Sequence, residues 1–183
     1  MSYLLIVLQG PSASGKSTLQ AGLGLPRIVT WTSRPPRVGE KDGVDYYFAP
    51  RERMQAMDKA GELLEMTEYQ GNYYGTALKT VSGIITGGEV RSVVLDAAGA
   101  KKVKTLFPKQ VLLVGVYAEK EECRRRMSTR SVPDSELERR LAGYEEEVKA
   151  LFQCDLIISN TDEHAGQARE LLEGISRELV GRQ

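Results

Sequence analysis

The sequence predicts a three-layer α/β/α fold: a parallel central sheet between two layers of helices, with an inserted lobe and a helical lid. Three observations lead there. Short, nearly unbroken apolar runs with β-branched members recur along the chain, the pattern of parallel strands buried on both faces. Between them lie segments with apolar residues at three- and four-residue spacing, fit for crossover helices. The 183 residues, 41% hydrophobic and 27% charged, suit one compact domain with at most a small insertion, and exclude disordered, collagenous and disulfide-scaffold classes.

In chain order, YLLIVLQ (Tyr3–Gln9) opens the sheet, and further strands are predicted at Ile28–Thr32, Ser92–Asp96, Val111–Tyr117 and Asp155–Ser159. Helices are predicted at Ala100–Phe107, within the longer stretch Glu119–Phe152, and at Ala165–Leu179. Right-handed crossovers between parallel strands place the connecting loops at the strands' carboxyl ends, where open α/β sheets hold ligands. Residues Ser33–Ala77 break the rhythm. SRPPRVGEKDG is a proline- and glycine-rich loop, LLEMTEYQGNYYGT reads as a strand leading into a turn, and together they form the inserted lobe. Pro35 and Pro36 stiffen the backbone between Arg34 and Arg37 and hold two guanidinium groups apart without a helix. STRSVPDS (Ser128–Ser135) is polar, carries Pro133 and separates two charged helices, as a lid would. The core is expected in residues 1–32, 77–127 and 137–183, the lobe at about 33–76 and the lid at about 128–136.

Twenty-five basic against 25 acidic residues leave no global attraction toward nucleic acid or anionic membrane. The longest apolar run, Tyr3–Leu8, is too short to cross a bilayer, and no basic segment precedes it. A cytoplasmic protein with neither nucleic-acid nor membrane partners is expected. Cys123 and Cys154 lie far apart and His164 is the sole histidine, which excludes a disulfide framework and a Cys/His zinc cluster. Both cysteines read as small buried hydrophobes, and Arg124 and Glu145–Glu147 as solvated helix faces.

Directly after the first predicted strand, GPSASGKS (Gly10–Ser17) matches G-x-x-x-x-G-K-[ST] and assigns the fold to the P-loop NTPase type. Gly10 and Gly15 let the backbone wrap through Ser12, Ala13 and Ser14 so that successive N–H groups point at a polyphosphate, assisted by the following helix's N-terminus. Lys16 would reach the β- and γ-phosphates, and Ser17 would offer its hydroxyl to Mg²⁺. Thr18 follows. The loop specifies a nucleoside triphosphate such as ATP and leaves the acceptor open.

With the loop placed, TSRPPRVGEKDGVDYYF (Thr32–Phe48) and EYQGNYYGT (Glu68–Thr76) closely resemble segments of the guanylate kinase family, and the resemblance runs through essentially the whole chain in the family's order. It implies Mg²⁺-assisted, ATP-dependent phosphorylation of GMP, bound by the inserted lobe. By the same resemblance Arg34, Arg37, Tyr46 and Tyr74 grip the GMP phosphate. Guanidinium donors neutralise a dianion bidentately while tyrosine hydroxyls orient it. Tyr47 and Tyr73, neighbours facing the other way on extended chain, are expected to pack.

Guanine presents N1–H and an amine as donors beside its O6 acceptor, whereas adenine presents an acceptor at N1. A carboxylate with hydroxyls therefore reads guanine and rejects adenine, and the resemblance puts Glu65, Thr30 and Thr76 in that role. On the residues alone, Glu65 reads equally as a solvent-facing strand residue. Asp96 matches an aspartate that serves either the guanine or the metal's water shell. In the lid region Arg126, Arg130 and Arg140 match arginines that reach the transferring phosphoryl group, where arriving positive charge stabilises a loose transition state. Arg126 also stands four residues after Glu122, the spacing of a helix-surface pair. Asn160 matches a position near the adenine, or is a turn residue. Trp31 is expected in a core rather than against the base. The chain departs from the family in having Val94 where an acid is usual, Ala98 for a glutamine, threonine for serine at both hydroxyl positions, and a lid one residue shorter. The rival readings are a P-loop kinase of another small acceptor, such as a ribose bisphosphate, and a non-catalytic guanylate-kinase-like interaction module. Glu65, Thr30 and Thr76 oppose the first; Lys16 and Ser17 oppose the second.

Overall fold

The computed structural model describes residues 3–69, 71–129 and 134–181. In chain order its elements are β1 (Leu5–Gln9), α1 (Lys16–Gly22), β2 (Trp31–Thr32), β3 (Tyr47–Phe48), α2 (Arg51–Lys59), β4 (Leu63–Tyr69), β5 (Asn72–Ala77), α3 (Leu78–Gly87), β6 (Arg91–Val94), α4 (Ala97–Leu106), β7 (Val111–Tyr117), α5 (Lys120–Ser128), α6 (Asp134–Ala142), α7 (Tyr144–Leu151), β8 (Leu156–Ser159) and α8 (Ala165–Val180).

Four strands form a parallel sheet in the order β6-β1-β7-β8. Every residue of β1 is buried, because a central strand covered on both faces has no solvent side. Its residues alternate between two cores. Leu5 and Val7 join Val81 and Ile84 of α3 and Ala100 and Val103 of α4. Ile6 and Leu8 join Leu19 of α1 and Leu172 and Leu179 of α8. The period of two along β1 thus fixes both helical layers, and the predicted three-layer fold is the one observed. The carboxyl end of β1 runs straight into the glycine-rich loop.

The lobe has its own sheet, ordered β3-β2-β5-β4, with β4 and β5 as an antiparallel hairpin. A small cluster backs it: Met54 and Met57 of α2 with Leu63, against which Trp31 and Tyr73 pack. The predicted strand over Ile28–Thr32 does not form in the central sheet. Arg27 makes a single parallel bridge to Ser92, and the chain then leaves. Trp31 stacks on Tyr47 with ring centroids 4.9 Å apart, and Thr32 Oγ1 donates to Tyr73 O at 3.1 Å. These contacts belong to the lobe and draw Trp31 and Thr32 into its sheet, ahead of the expected boundary. Tyr73 and Trp31 pack as expected, while Tyr47 stacks on Trp31 and remains partly exposed.

The long charged stretch divides into α5, α6 and α7, which share a core of Ala118, Cys123, Met127, Leu137, Leu141 and Tyr144. Residues 130–133, in the middle of the predicted lid, lie outside the described residues. Helices α2 and α3 were not among the predicted elements, although Pro50 at the start of α2 and Met54 and Met57 three apart carry a helix signal.

Candidate functional site

A cleft of about 270 Å³ opens between the glycine-rich loop and the inner face of the lobe hairpin. A larger concavity of about 1210 Å³ beside α3 contains none of the predicted site residues, so the smaller space is the candidate site.

At the loop end, Gly10, Ser12, Ala13 and Lys16 line the cleft. The backbone curls through left-handed conformations at Ala13 (φ 62°) and Gly15 (φ 96°). Gly15 has a second constraint, because a β-carbon there would lie 2.1 Å from Asn160 Nδ2. That amide is buried and donates to Ser14 O at 2.6 Å, bracing the loop from behind. Lys16 Nζ donates to Gly10 O and Pro11 O, each at 2.7 Å, and so lies across the loop's mouth. Ser17 and Thr18 stand exposed on the first turn of α1. Ser14 is fully buried.

At the lobe end the geometry comes from strand register. A bulge between Leu63 and Glu65 resets β4 so that Glu65 pairs with Thr76 and Thr67 with Tyr74. Directly paired residues share a face, so Glu65, Thr67, Tyr69, Tyr74 and Thr76 all look into the cleft. Glu65 is 5% exposed and accepts from Thr76 Oγ1 at 2.6 Å. Its Oε2 lies 3.1 Å from where a Gly99 β-carbon would stand, against the first turn of α4. Burial pushes the Glu65 carboxyl up to about 7, with the Asp96 charge adding to the rise and the Thr76 bond opposing it. Asp96 caps α4, accepting from Gly99 N at 2.9 Å, and also lines the cleft. Thr30 completes this end.

Four arginines stand around the space. Arg37 and Arg140 line it beside Tyr46. Arg140 pairs with Glu136, and its buried Nε has no hydrogen-bond partner among the described residues. Arg34 donates to both Glu40 oxygens at 2.9 Å and lies over the Tyr46 ring, behind the lining. Arg126 does not pair with Glu122. Its guanidinium donates to Asn160 O at 2.9 Å and Asp162 Oδ1 at 2.8 Å, and reaches Ala13 O at 3.5 Å, which ties α5 to the loop. Arg130 falls outside the described residues.

Three cleft residues with polar side chains lie outside the predicted set. Thr67 and Tyr69 follow Glu65 at the two-residue period of a strand, a signal present in the sequence. Tyr69 OH lies 2.5 Å from Ser12 Oγ and so joins lobe to loop. Glu147, expected on a solvated face, instead lines the cleft, and its Oε2 accepts from Ser12 N at 3.2 Å. The correction has a helical cause: consecutive residues are about 100° apart around α7, so three glutamates cannot share one face. Glu147 lies three residues after buried Tyr144 and four before buried Leu151.

This arrangement can cradle a polyphosphate on backbone amides at one end and hold a polar ring against a buried carboxylate at the other. A family model described as "Guanylate kinase" matches residues 2–174. Curated proteins named guanylate kinase include one from Nostoc sp., 36% identical over 178 residues, 93% of this chain and 89% of that protein. Another, from Enterococcus faecalis, is 37% identical over 166 residues, 87% of this chain and 81% of that protein. A crystal structure of guanylate kinase from Anaplasma phagocytophilum superposes with a TM-score of 0.76 at 29% identity, covering 100% of this chain and 87% of that one.

Proposed function

Because this chain belongs to the guanylate kinase family and phosphorylates GMP to GDP with ATP as donor, we propose that its cleft holds the two nucleotides end to end, ATP on the glycine-rich loop and GMP against the lobe. The observation that carries the acceptor assignment is the buried Glu65–Thr76 pair on the cleft face of the hairpin. An ionised Glu65 accepts from guanine's N1–H and amine, and the Thr30 and Thr76 hydroxyls complete the reading of the base. Adenine would set its own N1 acceptor against the carboxylate, leaving a buried charge unpaired.

Arg37, Tyr46 and Tyr74 then face the acceptor phosphate, with Arg34 held beside Tyr46 by Glu40. At the donor end the amides around Ala13 and Gly15, with Lys16, hold the ATP phosphates, and Ser12, Ser14, Thr18 and Asn160 support the loop's shape. A GMP phosphate oxygen attacks the γ-phosphorus in line, and the bond to the bridging oxygen of ADP breaks. Charge spreads over the equatorial oxygens of a loose transition state. Lys16, Arg126 and Arg140 stabilise that charge, and by resemblance Arg130 does too. The buried, unpartnered Nε of Arg140 suits an anion beside it. Oxygen donors suit Mg²⁺, which keeps several waters and binds with substrate phosphates. The Ser17 hydroxyl would hold the ion, which supplies neutralisation of the charge the phosphates share, and Asp96 stands within the same cleft. With 25 basic and 25 acidic residues we assign no nucleic-acid or membrane partner, and we place this purine nucleotide chemistry in the cytoplasm.

The test is an acceptor panel at saturating Mg·ATP. GMP is expected to exceed AMP in kcat/KM by at least about a hundredfold, the discrimination a buried polar group gives when its partner is absent. AMP or ribose bisphosphate turning over faster than GMP would remove the base-reading assignment.

A further inference from the structure

We propose that Glu147 is a positioning residue for the glycine-rich loop, setting the loop's shape through the backbone N–H of Ser12 and so the affinity for ATP. Of the three consecutive glutamates, Glu145 pairs with Lys120 at 3.3 Å and Glu146 with Lys149 at 2.7 Å, both on the surface. Glu147 alone turns into the cleft and accepts from Ser12 N at 3.2 Å.

The helix that carries it is fixed at both ends. Tyr144 OH donates to Ala118 O at 2.8 Å at its start, and Gln9 Nε2 donates to Ala150 O at 3.0 Å near its end. Gln9 is the last residue of β1 and immediately precedes the loop, so α7 and the strand feeding the loop form one frame. Within it, Ser12 N–H is committed to Glu147 and Ser14 N–H to Pro11 O at 3.1 Å. The left-handed turn at Ala13 is therefore set from both sides. A left-handed residue in such a turn gathers neighbouring amides into an anion-binding concavity.

A carboxylate beside a polyphosphate site has an electrostatic cost, because it repels the ligand it helps to seat. Burial pushes the Glu147 carboxyl up, and the nearby Lys16 charge and the Ser12 N–H hold it down. Two roles for Glu147 therefore predict opposite signs. If it acted on ATP only through its charge, removing it would tighten ATP binding. If it positions the loop, removal weakens binding despite the relief of repulsion.

This rests on reading the loop end of the cleft as the ATP site. The experiment is titration of Mg²⁺ and a non-hydrolysable ATP analogue, adenylyl imidodiphosphate, against wild type, Glu147→Ala and Glu147→Gln, with steady-state kinetics alongside. For Glu147→Ala, the analogue's Kd and the KM for ATP are expected to rise about tenfold while the KM for GMP stays within about twofold, the loss of one hydrogen bond to a charged group. Glu147→Gln keeps a side-chain oxygen at the same reach and is expected to bind within about threefold of wild type. It also serves as the folded comparison if the alanine variant melts early. Unchanged or tighter analogue binding by Glu147→Ala would overturn the proposal, as would a glutamine variant that is no better than alanine. Failure of the wild type itself to bind the analogue would overturn the ATP-site reading and this inference with it. Wild-type binding beside an unaffected alanine variant would remove this inference alone.

Discussion

The two ends of the cleft are built by different means. The loop end is made of backbone: left-handed turns at Ala13 and Gly15, and one buried asparagine holding Ser14 O. The lobe end is made of side chains from two strands, aligned by a bulge and centred on a carboxylate that burial disfavours. Backbone can meet a phosphate because every phosphate offers the same oxygens. A base has to be told from other bases, and that needs groups whose protonation and donor pattern are specific. The loop end should therefore fail through geometry and the lobe end through charge.

The largest effect is expected from Gly15→Ala. A side chain at φ 96° is strained, and its β-carbon would displace Asn160 Nδ2 from 2.1 Å away. Strain and the lost brace together should lower kcat/KM for ATP by roughly a hundred- to a thousandfold. The KM for GMP should hold, since no lobe residue moves. Analogue affinity within threefold of wild type would show that the loop end does not depend on this backbone shape.

Next comes Glu65→Gln, which should lower kcat/KM for GMP by about fiftyfold while leaving ATP binding intact. Equal losses for both nucleotides would erase the distinction between the two ends. Stability should move the opposite way from activity. The folded Glu65 carboxyl is raised from 4.5 to about 7. The folded protein therefore holds a proton that the unfolded chain releases between these values, and wild-type stability falls as pH rises through that window. Above about pH 7 the cost is on the order of 3 kcal/mol. The glutamine variant lacks it, so its Tm should exceed wild type at pH 8 and converge at pH 5. In the wild type the KM for GMP should climb as pH falls below about 7, because a protonated Glu65 no longer accepts both guanine donors. A flat profile would detach base reading from this carboxylate.

The difference between the ends also governs what could be read before folding. The loop is contiguous, so Gly10 to Ser17 disclosed their place after β1 and the phosphate chemistry proposed for them. The strands of the central sheet were legible because each contains consecutive apolar residues, as at Leu5–Leu8, Val93–Leu95, Val111–Val114 and Leu156–Ile158. Glu65 and Thr76 are eleven positions apart, and only the bulged register of the hairpin puts them opposite each other. Local pattern left Glu65 undecided, and a family resemblance was needed to place it. Thr67 and Tyr69 were recoverable from Glu65 by strand period. Ile28–Thr32 misled because an apolar run records burial without saying which sheet buries it, and Trp31 stacks in the lobe. Glu147 misled because three like charges in a row suggest solvent, although a helix turns one of them inward.

The smallest expected effect probes a hydrogen bond that joins the two ends. Tyr69 OH and Ser12 Oγ are 2.5 Å apart, a hydrogen bond from the hairpin to the loop. Ser12 is held on its other side by Glu147, so the contact joins the acceptor lobe to a part of the loop already fixed to α7. A Tyr69→Phe variant keeps the ring against Tyr74 and removes only the hydroxyl. Such a bond contributes about 1 kcal/mol, so kcat should fall by no more than about fivefold and each nucleotide alone should bind nearly as in wild type. The change should appear in coupling. If lobe and loop communicate through Ser12, GMP alters the affinity for an ATP analogue in the wild type and does so less in Tyr69→Phe, and by reciprocity the analogue loses the same influence over GMP. Titrating each nucleotide with and without the other measures both legs of that cycle. Equal coupling in the two proteins would mean that the backbone-built and side-chain-built ends act independently, joined only by the phosphoryl group that passes between them.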